Sequence, residues 1–270
     1  MNFSDTVKAV SRKNGSLLCV GLDPDPDKFP DSLRGHSDAI FQFNRAIVDA
    51  TADLVCAYKP QIAFYAAAGA ERQLQMSIDY IHETYQIPVI LDAKRGDIGS
   101  TAAMYAREVF ERYGADAATI NPYLGLDSMQ PFLDYREKGI LILCRTSNPG
   151  GAELQNLKFS TGRTLFEEVA RRACSEWNHN DNVLLVVGAT QPTELARIRA
   201  IVGKMTLLLP GVGAQGADLG AMMTSARGGG VIVSSSRSIL YAGSDDKFAD
   251  SAREAAMALR DQLAKLSEEN

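Results

Sequence analysis

PVILDAKRGDIGSTAAMYA, residues 88–106, contains a strand, a charged strand end and the start of a helix in one short stretch. Residues 88–91 form an apolar run without alternation, which suits a strand covered on both faces. Asp92, Lys94, Arg95 and Asp97 then place four charges in six positions, and helical spacing begins at Ser100. A chain entering a core does not ordinarily end its strand on two acids and two bases. The stretch therefore poses two questions: whether the unit repeats, and what the charges act on.

The unit repeats. Apolar runs recur at 17–23, 54–60, 88–94, 117–122, 139–146, 182–190, 206–213 and 230–236. Between them, helical periodicity spans 39–52, 66–85, 100–113, 165–177, 192–202 and 245–266, with shorter crossovers at 126–136 and 217–226. Eight strands alternating with helices predict an α/β chain folded as a single (β/α)8 TIM barrel over residues 1–270, with an open doubly wound sheet as the competitor. No linker, low-complexity tract or composition break divides the chain.

Composition narrows the function classes. The 270 residues carry a net charge of −5, and the pI is near 5.3, with no Lys/Arg-rich stretch. That argues against a nucleic-acid partner. No apolar run approaches the roughly 18 residues that would mark a membrane span, and the first 14 residues lack the apolar core of a secretory signal. Cys19, Cys56, Cys144 and Cys174 are far apart and read as free thiols in a reducing, cytoplasmic setting. His36, His82 and His179 are scattered, which is poor material for a zinc site or a catalytic triad.

In this fold the chemistry sits at the C-terminal ends of the strands. Polar groups stand at those ends here: Asp23, Lys59, Asp92 with Lys94, Asn121, Arg145-Thr146-Ser147, and Ser235 to Arg237. Asp92 and Lys94, two apart on a strand, share a face. With Lys59 on the preceding strand and Asp97 following, they form an alternating chain of charge. Arg95 faces the other way and reads as structural. Pro210 to Gly216 is a Gly-rich loop after the seventh strand, and Ser234 to Ser238 follows the eighth. Backbone N–H groups, the Gln215 amide and the Arg237 fork suit a phosphate dianion there. The connection from Arg145 to Gly162 is the longest without a clear helix, and its Ser147 and Asn148 suit the edge of a heterocycle or a plain turn.

Taken together these residues resemble the orotidine 5′-phosphate decarboxylases. The signature D-x-K-x-x-D stands at Asp92 to Asp97, with Lys59 on the preceding strand. LDAKRGDIG, RTSNPGG and PGVGAQG are similar to the longer bacterial branch of the family, and the resemblance covers nearly the whole chain. It implies a cofactor-free decarboxylase of orotidine 5′-monophosphate in UMP synthesis. By matching positions, Lys94 is then the acid that protonates C6, and Asp92 lies beside the substrate carboxylate. Lys59 orients Asp92 and, with Asp23, meets the ribose. Ser147 reads the pyrimidine edge, and Gln215 and Arg237 hold the phosphate. The resemblance also implies a homodimer in which Asp97, Ile98 and Thr101 come from the partner subunit. No metal is implied.

Three rival readings remain open. A Schiff-base aldolase needs a neutral lysine, whereas Lys94 lies between two aspartates. A Mg²⁺-dependent sugar-phosphate lyase shares D-x-K-x-x-D, as do the hexulose-phosphate synthases and keto-gulonate-phosphate decarboxylases. A phosphate-binding module would bind a nucleotide without turning it over.

Overall fold

The computed structural model describes residues 2–188, 192–211 and 218–268. Eight parallel strands form one sheet: β1 Leu18–Leu22, β2 Ala57–Pro60, β3 Ile90–Arg95, β4 Ala117–Ile120, β5 Gly139–Arg145, β6 Val183–Val187, β7 Leu207–Pro210 and β8 Val231–Ser235. Their order is β2-β1-β8-β7-β6-β5-β4-β3. Isolated parallel bridges, Tyr58 to Val89 and Gln61 to Asp92, join β2 to β3 and close the ring. The chain is a (β/α)8 barrel, and the open doubly wound alternative is excluded.

Strand register explains why the apolar runs look continuous. One set of residues packs under the helices, including Leu18, Val20, Leu91, Ala118, Ile140, Leu185 and Leu209. The alternate set fills the barrel interior: Cys19, Ala57, Ile90, Ala117, Leu141, Leu184, Leu208 and Ile232. Both faces are buried, so neither needs polar residues. Followed toward the strand C-termini, the interior set turns polar. Cys19 leads to Asp23, Ala57 to Lys59, Ile90 to Asp92 and Ala117 to Thr119.

The opposite end is closed by a helix that the sequence reading did not anticipate, Phe3–Asn14, capped by Asn2. Phe3 and Val7 belong to the interior cluster. The Phe3 N–H donates to the Glu137 carbonyl at 2.9 Å, and its ring occupies the space that a Gly139 side chain would fill.

Two predicted helices are interrupted. The 66–85 segment splits at Gly69 (φ +62°) into Ile62–Ala67 and Glu71–Tyr85. The 100–113 segment runs as an α-helix over Gly99–Arg107 and then widens to a π-helical turn over Glu108–Arg112, burying Val109 and Phe110. The connection after β5 also carries a short helix, Gly151–Gln155, where no clear helix was expected.

Phe3→Ala should cost about 3–5 kcal/mol, the usual loss for a fully packed aromatic. Gly139→Val should also destabilise, because it displaces the same ring. Urea unfolding of both variants checks this; wild-type stability in either would show that the N-terminal helix does not plug the barrel.

Candidate active site

The polar ends of the interior register meet at the barrel mouth. Lys59 and Asp92 are both buried. The Lys59 ammonium reaches Asp92 Oδ2 at 2.9 Å, and the Lys94 ammonium reaches Asp92 Oδ1 at 2.6 Å. Thr119 Oγ1 donates to the same Oδ1 at 2.8 Å. Both oxygens of one buried carboxylate are thus held, each by a cation. The Lys94 side chain is 46% exposed against 7% for Lys59, so Lys94 is the cation that opens to an incoming molecule.

Burial alone would pull Lys59 below the ordinary lysine value. The Asp92 and Asp23 carboxylates more than offset it and hold Lys59 above that value. Burial pushes Asp92 upward, but Lys59 and Lys94 outweigh it and hold the carboxyl well below its usual range. One layer deeper, burial pushes the Cys19 thiol up to about 12, so it stays protonated.

Plain i, i+2 alternation along the strand does not bring Asp92 and Lys94 together. Leu91 pairs with Ala118 and Arg95 with Ile120, so β3 spends four residues where β4 spends two. The surplus is a bulge. Lys94 takes a left-handed φ of +47° within it. Arg95 does face away: it pairs with Glu108 at 2.8 Å and lies over the Tyr105 ring.

Around this array, Asp23 Oδ2 accepts from Ser236 Oγ at 2.6 Å, while Oδ1 is buried with no hydrogen-bond partner among the described residues. Ser236 approaches so closely that a Cβ on Gly21 would stand 2.7 Å from its own Cβ. Ser147 lies against Gly188, whose missing side chain makes room for it, and its Oγ faces Gly211. Arg237 is exposed at the start of the helix Arg237–Leu240 directly after β8. Gln215 lies outside the described residues.

The expected chain of charge stops at Lys94. Asp97 makes no ion pair among the described residues, and its Oδ1 instead accepts from the Ile98 N–H at 2.8 Å. Ile98 is 60% exposed, and Thr101 is exposed on the following helix. Exposed Met104, Tyr123 and Leu124 come from this helix and from the turn that follows β4. Among the described residues no three His, Cys, Asp or Glu side chains gather as a metal-binding group. Thr119 escaped sequence reading, although its place two residues beyond interior Ala117 marks it as inward.

Residues 16–252 match the orotidine 5′-phosphate decarboxylase / HUMPS family. The chain belongs to that family. It is 58% identical over 267 residues to the orotidine 5′-phosphate decarboxylase of Dechloromonas aromatica, covering 97% of this chain and 98% of the relative. It is 57% identical over the same length to the enzyme of that name from Ralstonia pickettii, with the same coverage. Among solved structures, Leishmania donovani OMP decarboxylase superposes with a TM-score of 0.85 at 38% identity, covering 98% of each chain. The barrel and its length are therefore those of orotidine 5′-phosphate decarboxylases.

The charge array makes stability depend on pH. Asp92, whose value is depressed on folding, contributes stability above the unfolded carboxyl value near 3.8 and loses it as pH falls further. Lys59, whose value is raised, contributes below 10.5 and loses its share as pH climbs through the folded value. Asp92→Asn leaves Lys59 buried without its counter-ion, at a cost of about 3–5 kcal/mol at pH 7. The gap to wild type should narrow between pH 4 and pH 2 in urea titrations. A gap independent of pH would mean that Asp92 is not ionised in the fold.

Proposed function

We propose that this chain converts orotidine 5′-monophosphate to UMP and CO2 in de novo pyrimidine synthesis. The observation that carries the reading is the buried Lys59–Asp92–Lys94 array, one carboxylate between two ammonium groups, with only Lys94 open to the barrel mouth. The named activity of relatives more than half identical over nearly their full length supports it.

The chemistry demands such an array. Breaking the C6–carboxylate bond leaves its electron pair in an sp² orbital with little delocalisation. With Asp92 beside the substrate carboxylate, like charges face each other until CO2 departs. Lys94 then faces the carbanion and gives it a proton. An ammonium within about 4 Å of that charge is worth about 4 kcal/mol at an effective dielectric near 20. Very slow reference reactions require roughly 20 kcal/mol. The remainder is assigned to preorganised charge, expelled water and binding of the remote phosphate.

In this reading Asp23 and Lys59 meet the ribose hydroxyls, and Asp23 Oδ1, which has no hydrogen-bond partner among the described residues, accepts one. Ser147 reads the pyrimidine edge, and Gln215 with Arg237 holds the phosphate. Asp97, Ile98 and Thr101 serve the site of a second subunit in a homodimer. The exposed Ile98, Met104, Tyr123 and Leu124 supply the apolar surface that such an interface needs. No described helix is long and apolar enough to cross a membrane, and we assign the enzyme to the cytoplasm.

The direct test follows loss of the orotate-type ultraviolet absorbance on adding the nucleotide in excess EDTA. Rapid loss is expected, and Lys94→Ala should reduce it by at least about 10³-fold. No loss in EDTA, with activity on sugar phosphates in Mg²⁺, would overturn the substrate assignment. Arg237→Ala should raise KM about tenfold or more, with a smaller fall in kcat; an unchanged KM would remove Arg237 from the phosphate site. Mixing inactive Lys94→Ala and Asp97→Ala subunits should restore about a quarter of wild-type activity, because half the dimers then hold one intact site. A mixture that stays inactive would place Asp97 outside the partner's site.

A further inference from the structure

We infer that Thr119 is the positioning residue that sets the Lys94 ammonium over Asp92. The inference rests on the decarboxylase reading for its kinetic arm only. Thr119 lies on β4 and is 1% exposed. A hydroxyl offers one donor and two acceptor lone pairs. All three are used here, and all on the same short segment. Oγ1 donates to Asp92 Oδ1 at 2.8 Å and accepts from the Ala93 and Lys94 N–H groups, each at 3.0 Å.

The reason lies in the bulge. Where β3 spends four residues against two of β4, the ladder between Leu91 and Arg95 is interrupted. Thr119 is the β4 residue opposite that gap. Its side-chain oxygen takes the place of the missing main-chain acceptor for two successive N–H groups. It thereby holds the turn in which Lys94 has its left-handed φ of +47°. The same oxygen fixes the Asp92 oxygen on which the Lys94 ammonium rests at 2.6 Å. Backbone and carboxylate are located by one atom, so the Lys94 side chain starts and ends at points that Thr119 defines. Thr119 itself is buried, and its hydroxyl is the side-chain acceptor that both N–H groups use.

Thr119→Val keeps the shape and removes the hydroxyl. It should lower kcat for orotidine 5′-monophosphate about 10²-fold, the penalty for a misplacement near 1 Å, while KM changes less than about threefold. Thr119→Ser keeps the donor and both acceptors and should restore kcat to within about fivefold of wild type. A Val variant with wild-type kcat would overturn the inference. Should the Val variant fail to fold, Thr119→Ala and Thr119→Ser decide. Serine matching wild type supports the hydroxyl's role, and serine matching alanine shows that only the methyl's packing matters. A crystal structure of ligand-free Thr119→Val, or of Thr119→Ala in its place, gives a readout independent of turnover. Lys94 should leave the left-handed region and its contact with Asp92 should open; retention of both would sink the inference. If the wild type does not turn over the nucleotide, the substrate reading fails and the crystallographic arm alone judges Thr119.

Discussion

A carboxylate buried between two ammonium groups is costly to place and costly to disturb. Transferring any one of these ions from water to a protein interior carries a penalty of several kcal/mol, repaid only when geometry and hydrogen bonding are good. Asp92 meets that condition with Lys59 on one oxygen and Lys94 and Thr119 on the other. Each partner comes from β2, β3 or β4, so the array exists only where those strands are held in register. The bridge between Gln61 and Asp92, which helps to close the barrel, runs through the same residue. Ring closure and charge placement are one constraint.

That constraint divides the barrel along its axis. At the strand N-termini the interior is apolar and sealed by Phe3 and Val7. Toward the C-termini the same inward-facing register presents Asp23, Lys59, Asp92, Thr119 and Ser234. The lower layers supply the rigidity that the upper layer needs, since fixed charges help a reaction only if they do not relax away from it. Small residues at the boundary permit the close approaches involved: Gly21 admits Ser236, and Gly188 admits the Ser147 backbone.

Much of this was legible in the sequence for identifiable reasons. Parallel strands buried on both faces leave continuous apolar runs, so each of the eight strands lies on one. Several runs are longer than their strands because the polar mouth residues continue them; 182–190, for example, holds the strand Val183–Val187. The N-terminal helix is signalled only weakly, by an Asn2 cap and apolar residues at Phe3, Val7 and Val10 in a mostly polar stretch. The break at Gly69 was masked by the alanines around it. Asp92 and Lys94 were brought together for the right chemical reason by the wrong geometry. Ladder spacing puts i and i+2 on one face, but here a bulge does it, and no residue type announces a left-handed lysine. Asp97, three residues on, looked like the next member of the array and turned instead to its own neighbour's N–H.

The Asp97 result follows from the chain's exit path. Gly96 passes so near β4 that a Cβ there would stand 3.2 Å from the Asn121 Cβ. The segment then delivers Ile98 and the start of the following helix to the outside. Asp97 on that segment makes no ion pair with its own Lys94 among the described residues, and the proposal gives it to the site of a second subunit. In one chain alone, the Lys94 side chain remains nearly half exposed. An ammonium in that setting interacts with a nearby charge by about 1 kcal/mol in bulk water and about 4 kcal/mol at an effective dielectric near 20. The proposed second subunit would therefore do more than add Asp97 and Thr101. By excluding water from Lys94, it would change the dielectric in which every other charge of the array acts. Subunit pairing in the proposed homodimer would then serve the electrostatics of the proposed chemistry as well as supply residues to it.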